Sequence, residues 1–208
     1  MIKIITLLLF PLFLLSSVYP HFTTKDFINI EKKSGRIAKN RAMDYQQKIE
    51  SLKPYNETKQ LNIVNNYLNQ LLPQYDAVMQ KQEDYWASPK EFLQTGYGDC
   101  EDYVIIKYFS LLKLGFDKDR LYLTTVHELY TGGYHMVLSY FKEGMKSPLI
   151  LDNLSFRVLE LSKRNDIKAD TFINKNGVFK LDKNFKLQRI ARASSQYINL
   201  MKKVQENR

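Results

Sequence analysis

Apolar positions follow a helical period in the first part of this chain and an alternating one in the second. Asp26 to Leu52 and Glu57 to Leu72 read as helices, interrupted by Pro54 and Pro73. Ile30, Ile37, Ala38, Met43 and Ile49 give the first an uneven stripe; Leu61, Ile63, Val64, Leu68, Leu71 and Leu72 give the second a cleaner one. Asp76 to Gln82 reads as a short helix or turn. Ser88, Pro89 and Glu91 supply an N-cap, a first-position proline and a capping box for another helix. Val104, Ile105, Tyr108, Leu111 and Leu112 then form one apolar helical stripe, and Gly115 stands where that helix stops.

Beyond Gly115 the period changes. Leu121 to Val126 and His135 to Phe141 read as strands joined through Thr131-Gly132-Gly133. Leu149 to Leu151 is a short strand ending in the turn signal Asp152-Asn153. Asn174 to Gly177 separates Phe172-Ile173 from Val178-Phe179 as a hairpin turn would. Ala191 to Val204 reads as a final, mostly polar helix. Helices first and antiparallel strands afterwards predict an α+β fold.

The first residues stand apart from this pattern. Lys3 precedes the apolar run Ile4 to Val18, which contains the small residues Ser16 and Ser17. Residues 1–20 therefore read as a secretory signal or an uncleaved membrane anchor, and 21–208 as one exported domain. The net charge of +9 is concentrated at the end of the chain. After Asp182, the seven basic residues Lys183, Lys186, Arg189, Arg192, Lys202, Lys203 and Arg208 face only Glu206. Such a tail suits an anionic membrane surface, an acidic partner or a solvated helix face. Export, and the lack of an aromatic–basic motif, argue against nucleic acid.

The candidate chemistry centres on Gly96-Tyr97-Gly98-Asp99-Cys100-Glu101-Asp102-Tyr103, which holds the only cysteine. Its place at a helix start predicts a thiolate favoured by free backbone N–H groups; the alternative is a small structural residue, for which a place on the apolar stripe is the commoner one. A lone thiol in an exported chain is exposed to oxidation without a disulfide to protect it. Of the three histidines, His21 lies at the leader junction, His127 ends one strand and His135 begins the next after the glycine turn. Asp152, with Asn153 as the alternative, is placed to orient an imidazole at His135. The Cys100 amide is one candidate oxyanion donor, with Gln94 or Tyr97 as candidates for the other. Trp86 reads as a core anchor, with the substrate cleft as its alternative place.

Gly98 to Tyr103, His135-Met136-Val137-Leu138 and Leu151-Asp152-Asn153, with Trp86, Pro89, Glu91 and Lys107-Tyr108 around them, resemble the bacterial transglutaminase-like cysteine proteinases. The likeness is strong from Tyr85 to Asn153 and loose in the helical region before it. It implies a papain-like, transglutaminase-type fold with Cys100 as nucleophile, His135 as base and Asp152 as orienter. It also implies a periplasmic endopeptidase that cuts a large surface adhesin near its N-terminus, releasing it and dispersing a biofilm. The implied regulators are an inhibitory inner-membrane receptor for cyclic di-GMP and a calcium ion. Asp99, Glu101 and Asp102 supply three hard oxygen donors for that ion; as plain helix residues, Asp99 and Asp102 would instead favour the dipole. The rival readings are a transglutaminase or peptidoglycan-peptide amidase with the same triad, an idle peptide-binding module, and a membrane-associated structural protein.

Overall fold

The computed structural model describes residues 19–73 and 85–206. The expected leader, up to Val18, and the expected short helix at Asp76–Gln82 lie outside the described residues. Tyr19, assigned to the leader by sequence, is buried with its ring edge-on to Phe109. Among the described residues no helix is long and apolar enough to cross a membrane.

Helix α1 (Thr24–Leu52) starts at a capping box in which Thr23 and Asp26 bond each other's backbone amides. Gly35, at φ 85°, interrupts its helical dihedrals. That break resets the helical phase, so Ile37 and Met43, expected on the buried stripe, are 77% and 47% exposed. The buried face is Ile30, Ala38, Ala42, Tyr45, Ile49 and Leu52. Helix α2 (Glu57–Leu68) is capped by Asn56 and ends before Leu72. Leu72–Pro73 (β1) instead pairs in parallel with Tyr97–Gly98 (β2). Helix α3 (Pro89–Thr95) has the expected Ser88–Glu91 capping box and closes on Gly96 in the left-handed region.

Helix α4 (Cys100–Lys113) is the hub. Sequence suggested one apolar stripe, but the helix is enclosed almost all round: Ile106, Lys107, Phe109 and Ser110 are buried beside Val104, Ile105, Tyr108 and Leu111. A helix covered by α2, α3 and a sheet has no solvent face to keep polar. Trp86 joins the same core, as its anchor reading expected.

The sheet has seven antiparallel strands in the order β6-β5-β4-β3-β7-β8-β9. They are β3 (Leu121–Glu128), β4 (Tyr134–Tyr140), β5 (Leu149–Asp152), β6 (Ser155–Glu160), β7 (Ile167–Asn174), β8 (Gly177–Leu181) and β9 (Leu187–Ala191). Leu123, Leu138 and Leu151 are in register across three strands and belong to the core around α4. Val126, Val137, Ile150 and Ile167 make a smaller cluster of their own. The β7–β8 hairpin turns at Asn174 and Gly177 as expected, whereas β6 and β9 were not legible in the sequence. Helix α5 (Ser195–Glu206) buries Tyr197, Leu200 and Val204, and its Lys203 Nζ donates to the Trp86 carbonyl at 2.8 Å. Part of the basic tail is thus a docked element of the fold. The observed class is α+β.

Candidate active site

Two strand ends carry the candidate base and its candidate orienter. His135 is the second residue of β4 and Asp152 the last of β5. The β5–β6 register shifts between Ile150 and Asp152, the local irregularity that re-aims a side chain. His135 Nε2 lies 2.8 Å from Asp152 Oδ1, and both residues are buried, at 7% and 1% exposure. A carboxylate can only accept here, so Nε2 carries a proton, and in the neutral ring Nδ1 is then the acceptor nitrogen.

Asp152 is held from several sides. Oδ1 also accepts from the Leu154 amide at 2.9 Å, and Oδ2 accepts from Arg164 Nη2 at 2.7 Å. Arg164 is fixed in turn by Asp166, at 2.7 Å from Nε and 2.6 Å from Nη2. Burial alone would raise the Asp152 pKa, but the bonds from His135, Leu154 and Arg164 prevail and hold it at about 2. Arg164 was not found by sequence reasoning. It lies after a strand that itself went unseen, and an arginine beside an aspartate gives no local signal.

The candidate nucleophile has different surroundings. Cys100 is the first residue of α4, directly after Asp99 at the N-cap. Asp99 makes no side-chain cap bond to the helix. The half-buried thiol donates to Glu101 Oε2 at 3.1 Å. Its sulfur accepts from the backbone N–H of Met136, which places it beside the residue that follows His135. Sequence reasoning expected a thiol pKa lowered by the helix start. The net effect runs the other way: burial, then the charge and hydrogen bond of Glu101, and the charge of Asp99 push it up, against the Met136 amide.

The remaining candidates divide. Asp102 is buried and its Oδ1 accepts from the Ala87 amide at 2.8 Å, tying the segment before α3 to α4. Among the described residues no three Asp, Glu, His or Cys side chains converge as a metal site. Asp99 and Glu101, flanking the sulfur, fit an oxygen-loving cation; Asp102 is engaged elsewhere. Gln94 donates to Ser34 Oγ at 2.6 Å, so this side chain is committed away from an oxyanion. His127 stands with its ring edge-on to Tyr134, and Asp152 has His135 as its imidazole partner.

A family model described as "Bacterial transglutaminase-like cysteine proteinase BTLCP" matches residues 29–178, which include Cys100, His135 and Asp152. The chain belongs to this family. Legionella pneumophila LapG in its calcium-bound structure is 32% identical, with TM-score 0.75, covering 88% of this chain and 99% of that one. The EGTA-treated structure of the same protein is 33% identical, with TM-score 0.72, covering 86% and 97%. A search of curated proteins finds no match. As a transglutaminase-like cysteine proteinase, this chain carries a cysteine peptidase fold with its single thiol at the start of the central helix.

Proposed function

We propose that this protein is an exported, calcium-dependent cysteine endopeptidase using Cys100, His135 and Asp152. The carrying observation is the buried His135–Asp152 pair beside a thiol that accepts the Met136 amide. His135 Nδ1 removes the thiol proton, and the sulfur attacks the peptide carbonyl, opening its C=O bond to an oxyanion. The Cys100 backbone N–H, at the first position of α4, is suited to receive that oxyanion. His135 then protonates the leaving amine as the C–N bond breaks, leaving a thioester. Water, deprotonated by the same imidazole, hydrolyses the thioester and frees the thiol. Asp152 keeps the ring in one tautomer and orientation throughout.

Calcium is assigned to Asp99 and Glu101. The support is the donor chemistry and the calcium-bound LapG relative. Bound there, a dication would offset the negative charge that raises the Cys100 pKa. The proposed substrate is a large surface adhesin cut near its N-terminus in the periplasm. The proposed regulator is an inner-membrane receptor for cyclic di-GMP. Both rest on the family resemblance.

The test is cleavage of an adhesin N-terminal fragment with and without EGTA. Chelation should stop cleavage, and calcium should restore it better than magnesium, which demands tighter octahedral geometry. Asp99→Ala should weaken calcium binding and lower activity. In a metal-free site the same change would help the thiolate, so full activity of Asp99→Ala in EGTA would overturn the calcium assignment.

A further inference from the structure

Lys107 lies on α4 two turns beyond Cys100 and is 0% exposed. Its Nζ has no hydrogen-bond partner among the described residues. Burial pulls the ammonium down to about 7, against the attraction of Asp152. A wholly buried lysine of this kind is costly to keep. The peptidase chemistry set out above leaves it without a task.

Two bearings locate its head group, and α2 reaches the same carboxylate's turn. Nζ sits over the Tyr103 ring, 5.8 Å from the centroid, and Tyr103 Oη donates to the Leu71 carbonyl just after α2. Asp152, on β5, is the charge that acts on it. From α2, Asn65 Nδ2 donates to the Ser155 carbonyl at 2.8 Å, and Asn69 Nδ2 donates to the carbonyls of Asp152 at 2.7 Å and Ser155 at 3.1 Å. Helix α4, α2 and the β5–β6 segment pack against one another around Asp152. The oxygens on the other side of those amides, Asn65 Oδ1 and Asn69 Oδ1, are buried and unpaired, as is Asn153 Oδ1 in the turn. An ammonium offers three donors, and buried donors and acceptors in one region pair directly or through trapped water.

We propose, on the peptidase reading above, that Lys107 is a positioning residue for the His135–Asp152 pair, acting through a buried polar network with Asn65 and Asn69 that fixes the turn carrying Asp152. The groups that act on it are Tyr103 on its own helix and Asp152 on β5, a carboxylate that also bonds His135 and Arg164, while Asn65 and Asn69 hold the turn after Asp152 from α2. The network holds the turn from the α2 side, as Arg164 holds it from the other.

Lys107→Met keeps the stem and removes the charge. Because a buried ammonium is a burden to the fold, the variant should melt no earlier than wild type. Its kcat should nevertheless fall about ten-fold or more with KM within about two-fold, the pattern of a disturbed supporting contact. A purely structural lysine predicts the opposite, an earlier melt with kcat retained. The second readout needs no activity: the downfield NMR proton of the His135 Nε2–H···Asp152 bond should shift or broaden in the variant. Unchanged kcat and an unchanged resonance would overturn the proposal. Should Lys107→Met fail to fold, Asn69→Ala, at a partly exposed site, decides by the same two measurements. If wild type cleaves no peptide, the peptidase reading fails, and the resonance alone still decides the role of Lys107.

Discussion

At the end of the sheet, Asp152 is buried yet receives hydrogen bonds from His135, Arg164 and the Leu154 amide, and its pKa lies at about 2. At the start of α4, Cys100 is only half-buried, yet burial and the carboxylates of Glu101 and Asp99 push its pKa up. Both regions take an ionisable group out of water. They differ in what surrounds it. The sheet end surrounds an anion with donors, and the helix start surrounds a would-be anion with further anions. The Asp152 half of the site is therefore preorganised for charge by the fold, whereas the Cys100 half disfavours it.

The sharpest break in this comparison is loss of either proposed reacting group. Cys100→Ala and His135→Ala should each lower peptide cleavage by roughly 10⁴-fold, since members of such a unit act together. The melting temperature of Cys100→Ala should stay near wild type, because the sulfur is not part of the apolar core. Cleavage within tenfold of wild type in either variant would remove that residue from the chemistry.

A smaller effect is expected when the preorganised half loses its outer support. Arg164→Met leaves the buried Asp152 carboxylate without its guanidinium, a change that should cost roughly 3 kcal/mol of stability. It should also lower kcat more than it raises KM. Urea unfolding and steady-state kinetics check the two parts, and a variant equal to wild type in both would make Arg164 incidental.

Gly98→Ala probes the other half. A Cβ there would collide with Asp102 Oδ2 and meet Asp102 Cβ at 2.7 Å and Phe92 Cδ2 at 2.9 Å. The backbone before Cys100 must then move, at about 1–3 kcal/mol of overpacking strain. Thermal unfolding should show the loss, and thiol alkylation rates should change with it.

The mildest effect is read from pH. The fold holds the Asp152 carboxyl at about 2, below the ordinary aspartate value of 3.8. Its contribution to stability is complete above the unfolded value and is lost as pH falls through the folded one. The stability gap between wild type and Asp152→Asn, measured in urea, should be widest near about pH 5 and close near about pH 2. A gap that grows on acidification would contradict the assigned shift.

Much of this protein was decided by local sequence. The capping box at Ser88 and Glu91, the hairpin at Asn174–Gly177 and the helix after Cys100 each depend on residues a few positions apart. So did the candidates Cys100, His135 and Asp152, whose positions at element ends follow from period and punctuation. Only the tertiary structure decided the rest. The Gly35 break turned Ile37 to solvent, because a helix phase survives only while its dihedrals do. Asp102 became a tie to Ala87, and Gln94 a partner of Ser34, because hydrogen bonds between distant segments leave no trace in spacing. Arg164 reached Asp152, and Lys107 came to lie buried in its field, for the same reason. The direction of the thiol shift needed the full surroundings as well: a helix start favours a thiolate, but burial and two neighbouring carboxylates outweigh it. Local pattern names which groups are chemically able, and packing sets the charge and partners under which they work.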